Sequence, residues 1–418
     1  MKEHSLDTYL KSYCSEYPDY MNLYSTWNLN KTACSDALKN VVIHYPHFSM
    51  HDSSHADTVL SKIEMLLGDR IQQLSPTDTW LILHAAYTHD LGMVIKWEEI
   101  ERVWSTSEFQ DYLSSLSSTS DRDLQDAITW VRDLKASKQT PLWPLKTYRY
   151  VNLLNASSFR QQHAQLSRRY LDLFGSGLKI DLGHSGLIRP RLLKLLGRIC
   201  ELHTAPVHDV LTLDYETDGF GSDYAHPRFV AMLLRLGDLL DVDNGRFNTV
   251  SELASGQLPE SSIPHKEKHS ATTHLLVTPS EIQFTSDCPN TQAYLEARNF
   301  VDWLESEIDF LTKYWVKIVP TVFDGFAPVL IKKSFILPAR RILRVLLDFA
   351  LKFLRKRHFK LLRDPISTKI VLSSSGKSCK IPWMPPNCSF GRTSAQAPMM
   401  LGLAILISCI YNPMISTQ

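Results

Sequence analysis

The chain lacks a surplus of charge, a cysteine framework and any apolar run long enough to span a bilayer. Its 418 residues carry 45 Lys and Arg against 44 Asp and Glu, a balance that removes any global electrostatic case for nucleic acid or an anionic membrane. The seven cysteines (Cys14, Cys34, Cys200, Cys288, Cys379, Cys388 and Cys409) are odd in number, scattered and never paired as CxxC. That is unlike a secreted disulfide scaffold or a thiolate zinc site, and a reducing, cytoplasmic setting is expected. The longest apolar run, residues 399–411, falls short of the roughly 20 residues a transmembrane helix needs. The opening stretch MKEHSLDTYLKSYCSEY is polar where a signal peptide needs an apolar core, so export is not expected. No internal repeat is found.

What the chain does have is helical periodicity. Val59, Ile63, Leu66 and Leu67 form one stripe, so residues 55–67 read as an amphipathic helix with His55 in its first turn. Ser75 followed by Pro76 is a helix start. The next segment, through WLILHAAY, is apolar nearly all round, which implies burial and delivers His89 and Asp90 at its end; Gly92 is expected to stop it. Residues 101–150 are rich in serine and charge and read as a surface insertion. Helical periodicity returns over 159–174, 188–203 and 227–240. THLLVTPSEIQFT then alternates around Pro279 and Ser280 as a β-hairpin does, and residues 291–315 are again helical. The expected fold class is mainly α with a small β-hairpin appendage.

A divalent cation that must meet phosphate oxygens and activate water needs neutral imidazoles and carboxylates converging from separate helices. The sequence offers such a set in order: His55, then the doublet His89-Asp90 at the end of a buried helix, then Asp238 in AMLLRLGDLLD. An ionisable pair at the end of an apolar helix is costly to bury unless paired or metal-bound. The mixed donors suit Mn, Fe, Ni, Co or Zn, and occasionally Mg.

The order H…HD…D, with HAAYTHDLGM around the doublet and LLRLGDLLDVDNGR around the last Asp, resembles the HD superfamily of metal-dependent phosphohydrolases. HFSMHDSSHADTVLSKIEMLLG followed by LSPTDTWLILHAAYTHDLGM is similar, more closely, to bacterial HD domains that precede a GHKL-type, chaperone-like ATPase. The resemblance implies an HD-type helical bundle in which His55, His89, Asp90 and Asp238 hold a first metal. His163 and His203 occupy places fitting a second metal or the departing phosphate. His51, one turn before His55, is a candidate substrate contact or general acid. Arg160 and Arg168 flank His163 and are candidates to clamp phosphate, although charged helix faces are the commoner use of such residues. Asp241 and Asp243 read as capping or turn residues. His84 reads as a packed core histidine. His265, Lys268 and His269 form a polar cluster ahead of the hairpin, within reach of the site if their loop folds toward it.

The implied function is hydrolysis of a phosphoester or phosphoanhydride in a nucleotide-like substrate; the alternative is a metal- or nucleotide-binding sensor that regulates a protein partner or ATPase. The ATPase itself is not carried over, because neither an acidic N-box-like helix nor a DxGxG loop is present. The expected domains are 1–325, with a core over about 40–245 and the hairpin and helix over about 265–320, and 326–418. The latter opens on a basic stretch, residues 331–363, with Asp348 as its single acid, read as a helical segment for solvent, a partner or an anionic surface. Residues 373–398, rich in Ser, Pro and Gly, read as a poorly structured tail.

Overall fold

The computed structural model describes residues 4–46, 51–242, 258–323 and 330–336, together with four short strands beyond residue 360. Residues 1–337 form one unit and 338–418 another. The first unit is mainly helical, as its periodicity predicts.

Its centre is a helix without a polar face. Helices α1 (Ser5–Glu16), α2 (Met21–Leu38) and α3 (Ser53–Leu67) precede α4 (Pro76–Thr88), in which every residue is buried. The Ser75 hydroxyl accepts the Asp78 N–H at 2.9 Å, and Pro76 supplies the first helical φ. Trp80, Leu81, Ile82 and Leu83 are wholly removed from water, each contributing about 1.5–3 kcal/mol.

The serine-rich insertion is helical, with an apolar core of its own. After α5 (Trp97–Trp104), helices α6 (Ser107–Ser115), α7 (Arg122–Arg132) and α8 (Trp143–Arg160) enclose Phe109, Leu113, Leu124, Ile128 and Leu154. Polar outer faces hide this short stripe in the sequence. Then come α9 (His163–Asp172), α10 (Pro190–Glu201) and α11 (Pro227–Leu239). The chain breaks at Gln161–Gln162, so the helical pattern over 159–174 is two helices and His163 opens the second. Around α4 pack α1, α2, α3, α10 and α11.

Beyond these lie α12 (Ile263–Ala271), strands β1 (Thr272–Val277) and β2 (Glu281–Asp287), and α13 (Thr291–Lys313). The two strands form the expected antiparallel hairpin, Val277 opposite Ile282. The basic stretch departs from expectation: β3 (Leu330–Ile336) is a strand, parallel to β2 with Glu281 opposite Leu330. Its lysines are neutralised in place, Lys332 by Glu281 at 2.9 Å and Lys333 by Glu305 at 2.5 Å, and alternation of Ile331 and Lys332 suits an edge strand as well as a helix. The first unit therefore runs past residue 326.

In the second unit, Leu361–Arg363, Ile370–Leu372, Ser378–Cys379 and Phe390–Gly391 pair into one small sheet. The rest of the expected tail, most of the basic stretch, residues 399–411 and Asp243 lie outside the described residues.

Candidate metal centre

Three helix ends meet, and two glycines let them. The Asp52 carboxylate caps α3 by accepting the Ser54 N–H at 2.9 Å, which sets His55 in the first turn. α4 ends at Thr88 and leaves His89 and Asp90 just past it; Asp238 sits in the last turn of α11. A Cβ on Gly237 would stand 2.7 Å from the Ile63 side chain and 3.1 Å from the Val59 carbonyl, so only glycine lets α11 lie this close to α3. At Gly92 a Cβ would fall 1.9 Å from the His163 carbonyl oxygen. The Gly92 N–H donates to Ser167 Oγ at 2.8 Å, and that hydroxyl donates to the His89 carbonyl at 2.5 Å. Gly92 thus serves close packing of α9 onto the doublet, beyond ending α4.

The donor atoms face one another. His55 Nε2 lies 3.2 Å from His89 Nε2, 3.2 Å from Asp238 Oδ1 and 3.5 Å from Asp90 Oδ2. His89 Nε2 is 3.3 Å from Asp90 Oδ2. The other Asp90 oxygen, Oδ1, is 3.4 Å from His163 Nε2 and 3.8 Å from His203 Nε2, and those two nitrogens are 3.0 Å apart. Asp90 stands between two histidine pairs, one oxygen toward each.

The far side of each imidazole fixes its tautomer. His55 Nδ1 donates to Asp241 at 2.5 Å, His89 Nδ1 to the carbonyls of Ala85 and Ala86 at 3.2 and 3.1 Å, His163 Nδ1 to the Arg160 carbonyl at 2.7 Å, and His203 Nδ1 to the Cys200 carbonyl at 2.5 Å. Carbonyls and a carboxylate accept, so each ring carries a proton on Nδ1 and points Nε2 inward, where its lone pair becomes available once that nitrogen is unprotonated. Lone pairs held this close repel unless a cation lies among them.

The field of the site favours that cation. Burial pulls the His89 imidazole down, but Asp90 and Asp238 outweigh it and hold its pKa at about 9. Burial raises Asp90 and Asp238, and the surrounding imidazoles overcome it and hold both below the usual carboxylate range. His203, buried beside His89 and His163, is pushed down to about 3. Protons and metal ions compete for the same atoms. Three overlapping sets, His55-His89-Asp90, His89-His203-Asp238 and Asp90-His163-His203, each keep their donor atoms within 4.8 Å of one another and could hold a divalent metal.

The HD-CE family model matches residues 45–309, more than half of the chain. The chain belongs to the HD-CE family. No curated protein and no solved structure matches it. All the donor residues above fall within the HD-CE match.

His55, His89, Asp90 and Asp238 come together in this HD-CE domain, with His163 and His203 on the second face of Asp90. His51 precedes the cap of α3 and so is not in its helix, yet its ring centroid lies 5.4 Å from that of His55. It lines a cavity of about 390 Å3 with Asp90, His163, Asp238 and Arg160. Arg168 does not arrive. Five residues beyond His163 it has turned about 140° around α9, and its guanidinium donates to Glu201 at 2.7 Å with Asp172 at 3.5 Å. Asp241, read as a turn residue, instead orients His55. Its signal was a second acid three residues after Asp238, one helical turn on. Arg235 carries no motif signal in the sequence. It pairs with Glu307 of α13 at 2.8 Å through Nε, and its Nη1 donates to the His203 and Ala205 carbonyls at 3.2 and 2.7 Å, anchoring the turn that carries His203.

Proposed function

We propose that this HD-CE domain hydrolyses a phosphoester or phosphoanhydride in a nucleotide-like substrate. The observation that carries the reading is the arrangement of four inward Nε2 atoms about the divided Asp90 carboxylate. His55, His89, Asp90 and Asp238 would hold one divalent cation, and Asp90, His163 and His203 a second. Such a cation supplies polarisation of a phosphoryl oxygen and a water of lowered pKa. The chain's own residues do the rest. Asp241 keeps the His55 proton on Nδ1. His51, in the cavity wall, is placed to give a proton to the leaving oxygen. Arg160 offsets phosphoryl charge as a planar, permanently charged donor. Open space beside the centre suits a nucleotide-sized ligand. The 390 Å3 cavity adjoins a groove of about 1170 Å3 that shares Arg160, His163 and His265 with it, leaving room for a leaving group.

The test is elemental analysis of the purified chain combined with phosphate release across a nucleotide panel. Bound divalent metal with turnover of at least one nucleotide is expected. Metal without turnover of any member would leave the sensor reading; absence of metal would remove both.

A further inference from the structure

The helix that ends at the cavity begins at an exposed apolar face. Toward its C-terminus, α8 places Leu153, Ser157 and Arg160 on the wall of the groove. At its other end Leu142, at the cap, and Leu145 and Tyr148 are 60%, 70% and 66% exposed. Spaced three apart, they share one side of the helix, and Leu134, in the connection from α7, is exposed as well. Single exposed apolar residues are ordinary, whereas a cluster of large ones on successive turns marks an interaction surface. Tyr148 stands about 18 Å along α8 from Arg160, and none of the four lines the groove or the cavity. The face is also firmly mounted. Trp130 Nε1 of α7 donates to Thr147 Oγ1 of α8 at 2.9 Å, and Ser137 Oγ of the connection donates to the Trp130 carbonyl at 2.8 Å.

The charge of this segment is nearly all of one sign. Residues 130–150 hold Arg132, Lys135, Lys138, Lys146 and Arg149 against a single acid, Asp133, in a chain whose total charge is balanced. The Lys146 ammonium lies 4.8 Å from the Trp130 ring centroid and that of Lys138 5.5 Å from the Trp143 centroid. Arg132 donates to the hydroxyls of Ser114 and Ser117. Asp126 and Asp123 of α7 act on Tyr150, yet among the described residues no carboxylate pairs with Lys135, Lys138 or Lys146. Leucine and tyrosine flanked by lysine and tryptophan suit the bilayer interface, where apolar side chains enter among the headgroups and lysine stems reach outward to anionic groups. Protein–protein interfaces are instead depleted in lysine. We propose that the α7–α8 end of the insertion docks on an anionic lipid surface. Leu142, Leu145 and Tyr148 enter the headgroup region, and Lys135, Lys138 and Lys146 meet the negative headgroups.

The experiment is co-sedimentation of the full chain with vesicles of phosphatidylcholine alone and of phosphatidylcholine with phosphatidylserine at three parts to one. Binding to the mixed vesicles is expected to be at least about tenfold tighter, because each cation near an anionic surface adds to the attraction. The double variant Leu145→Ser with Tyr148→Ser, and separately Lys138→Gln with Lys146→Gln, should each weaken that binding by about tenfold. Val316→Ser, at a residue 82% exposed elsewhere on the chain, should leave it unchanged. Every variant should keep wild-type metal content and melting. Should the serine variant melt lower, the lysine variant decides. No binding to mixed vesicles, equal binding to both kinds, or wild-type binding by the lysine variant overturns the proposal, as does an equal loss in Val316→Ser. Retention on immobilised poly-glutamate or RNA without vesicle binding also overturns it, and gives the cations to a macromolecular partner.

Discussion

The middle of α4 and its C-terminal end each hold a histidine, five residues apart and each 1% exposed. Their surroundings differ. His84 lies against Trp80, ring centroids 3.9 Å apart; its Nδ1 donates to the Trp80 carbonyl at 2.9 Å and its Nε2 accepts from Asn30 at 3.0 Å. Burial, with His184 nearby, pushes it down to about 3. His89 suffers the same burial, and two carboxylates reverse the outcome to about 9. Burial alone makes a neutral core histidine. What makes a metal centre is the arrival of Asp90 and Asp238 at the same point, and only the helix end, where side chains leave the packed barrel of neighbours, gives them room.

The largest effect should come from removing the shared carboxylate. Asp90→Ala is expected to lower metal affinity by more than about 100-fold, beyond the 10- to 100-fold typical of losing an outer partner, and to abolish any hydrolysis. The helical fold should persist, because the change also relieves repulsion between Asp90 and Asp238 in the metal-free state. Elemental analysis with far-ultraviolet circular dichroism reads both; metal retained at wild-type level would dissolve the contrast between the two ends of α4. A smaller loss should follow Asp241→Asn, which weakens the hold on His55 Nδ1 without touching a donor atom. About 10- to 100-fold weaker metal is expected by chelator competition, and an unchanged affinity would show that helix packing alone orients His55.

The fold class and the four-residue set were legible because each rests on local pattern: an apolar helix ending in His-Asp, an amphipathic helix opening on His55, a buried helix carrying Asp238. The family resemblance gave His163 and His203 their place in the order. What stayed hidden depends on partners remote in sequence. Asp241 looks like any acid near a helix end until His55, far upstream, meets it. Arg235 acquires its role from Glu307 and from the turn at His203. Arg168 sits beside His163 in the text and turns away in space, since adjacency along a helix is not shared direction. The 330–336 strand is an edge strand whose lysines find acids on β2 and α13, and no periodicity in its seven residues separates that from a basic helix. Residues 265–269 became a cavity wall through the packing of α12 on α13, which their own sequence does not encode.

The smallest effect on metal, and the sharpest test of the contrast, belongs to His84. Its two ring nitrogens are spent on Trp80 and Asn30, and Asn30 in turn donates to the Leu182 carbonyl at 3.1 Å while its oxygen meets His184 Nε2 at 2.7 Å. His84→Leu keeps the apolar contacts with Trp27 and Trp80 but leaves one Asn30 N–H without an acceptor in a dry interior, a loss of about 1–3 kcal/mol. Held neutral by burial, His84 contributes no charge that the centre could feel. The melting transition should therefore fall while metal stoichiometry and affinity stay at wild-type values. A variant that melts lower and also binds metal more weakly would mean that the middle of α4 transmits to its end, and that the two histidines belong to one network rather than two environments.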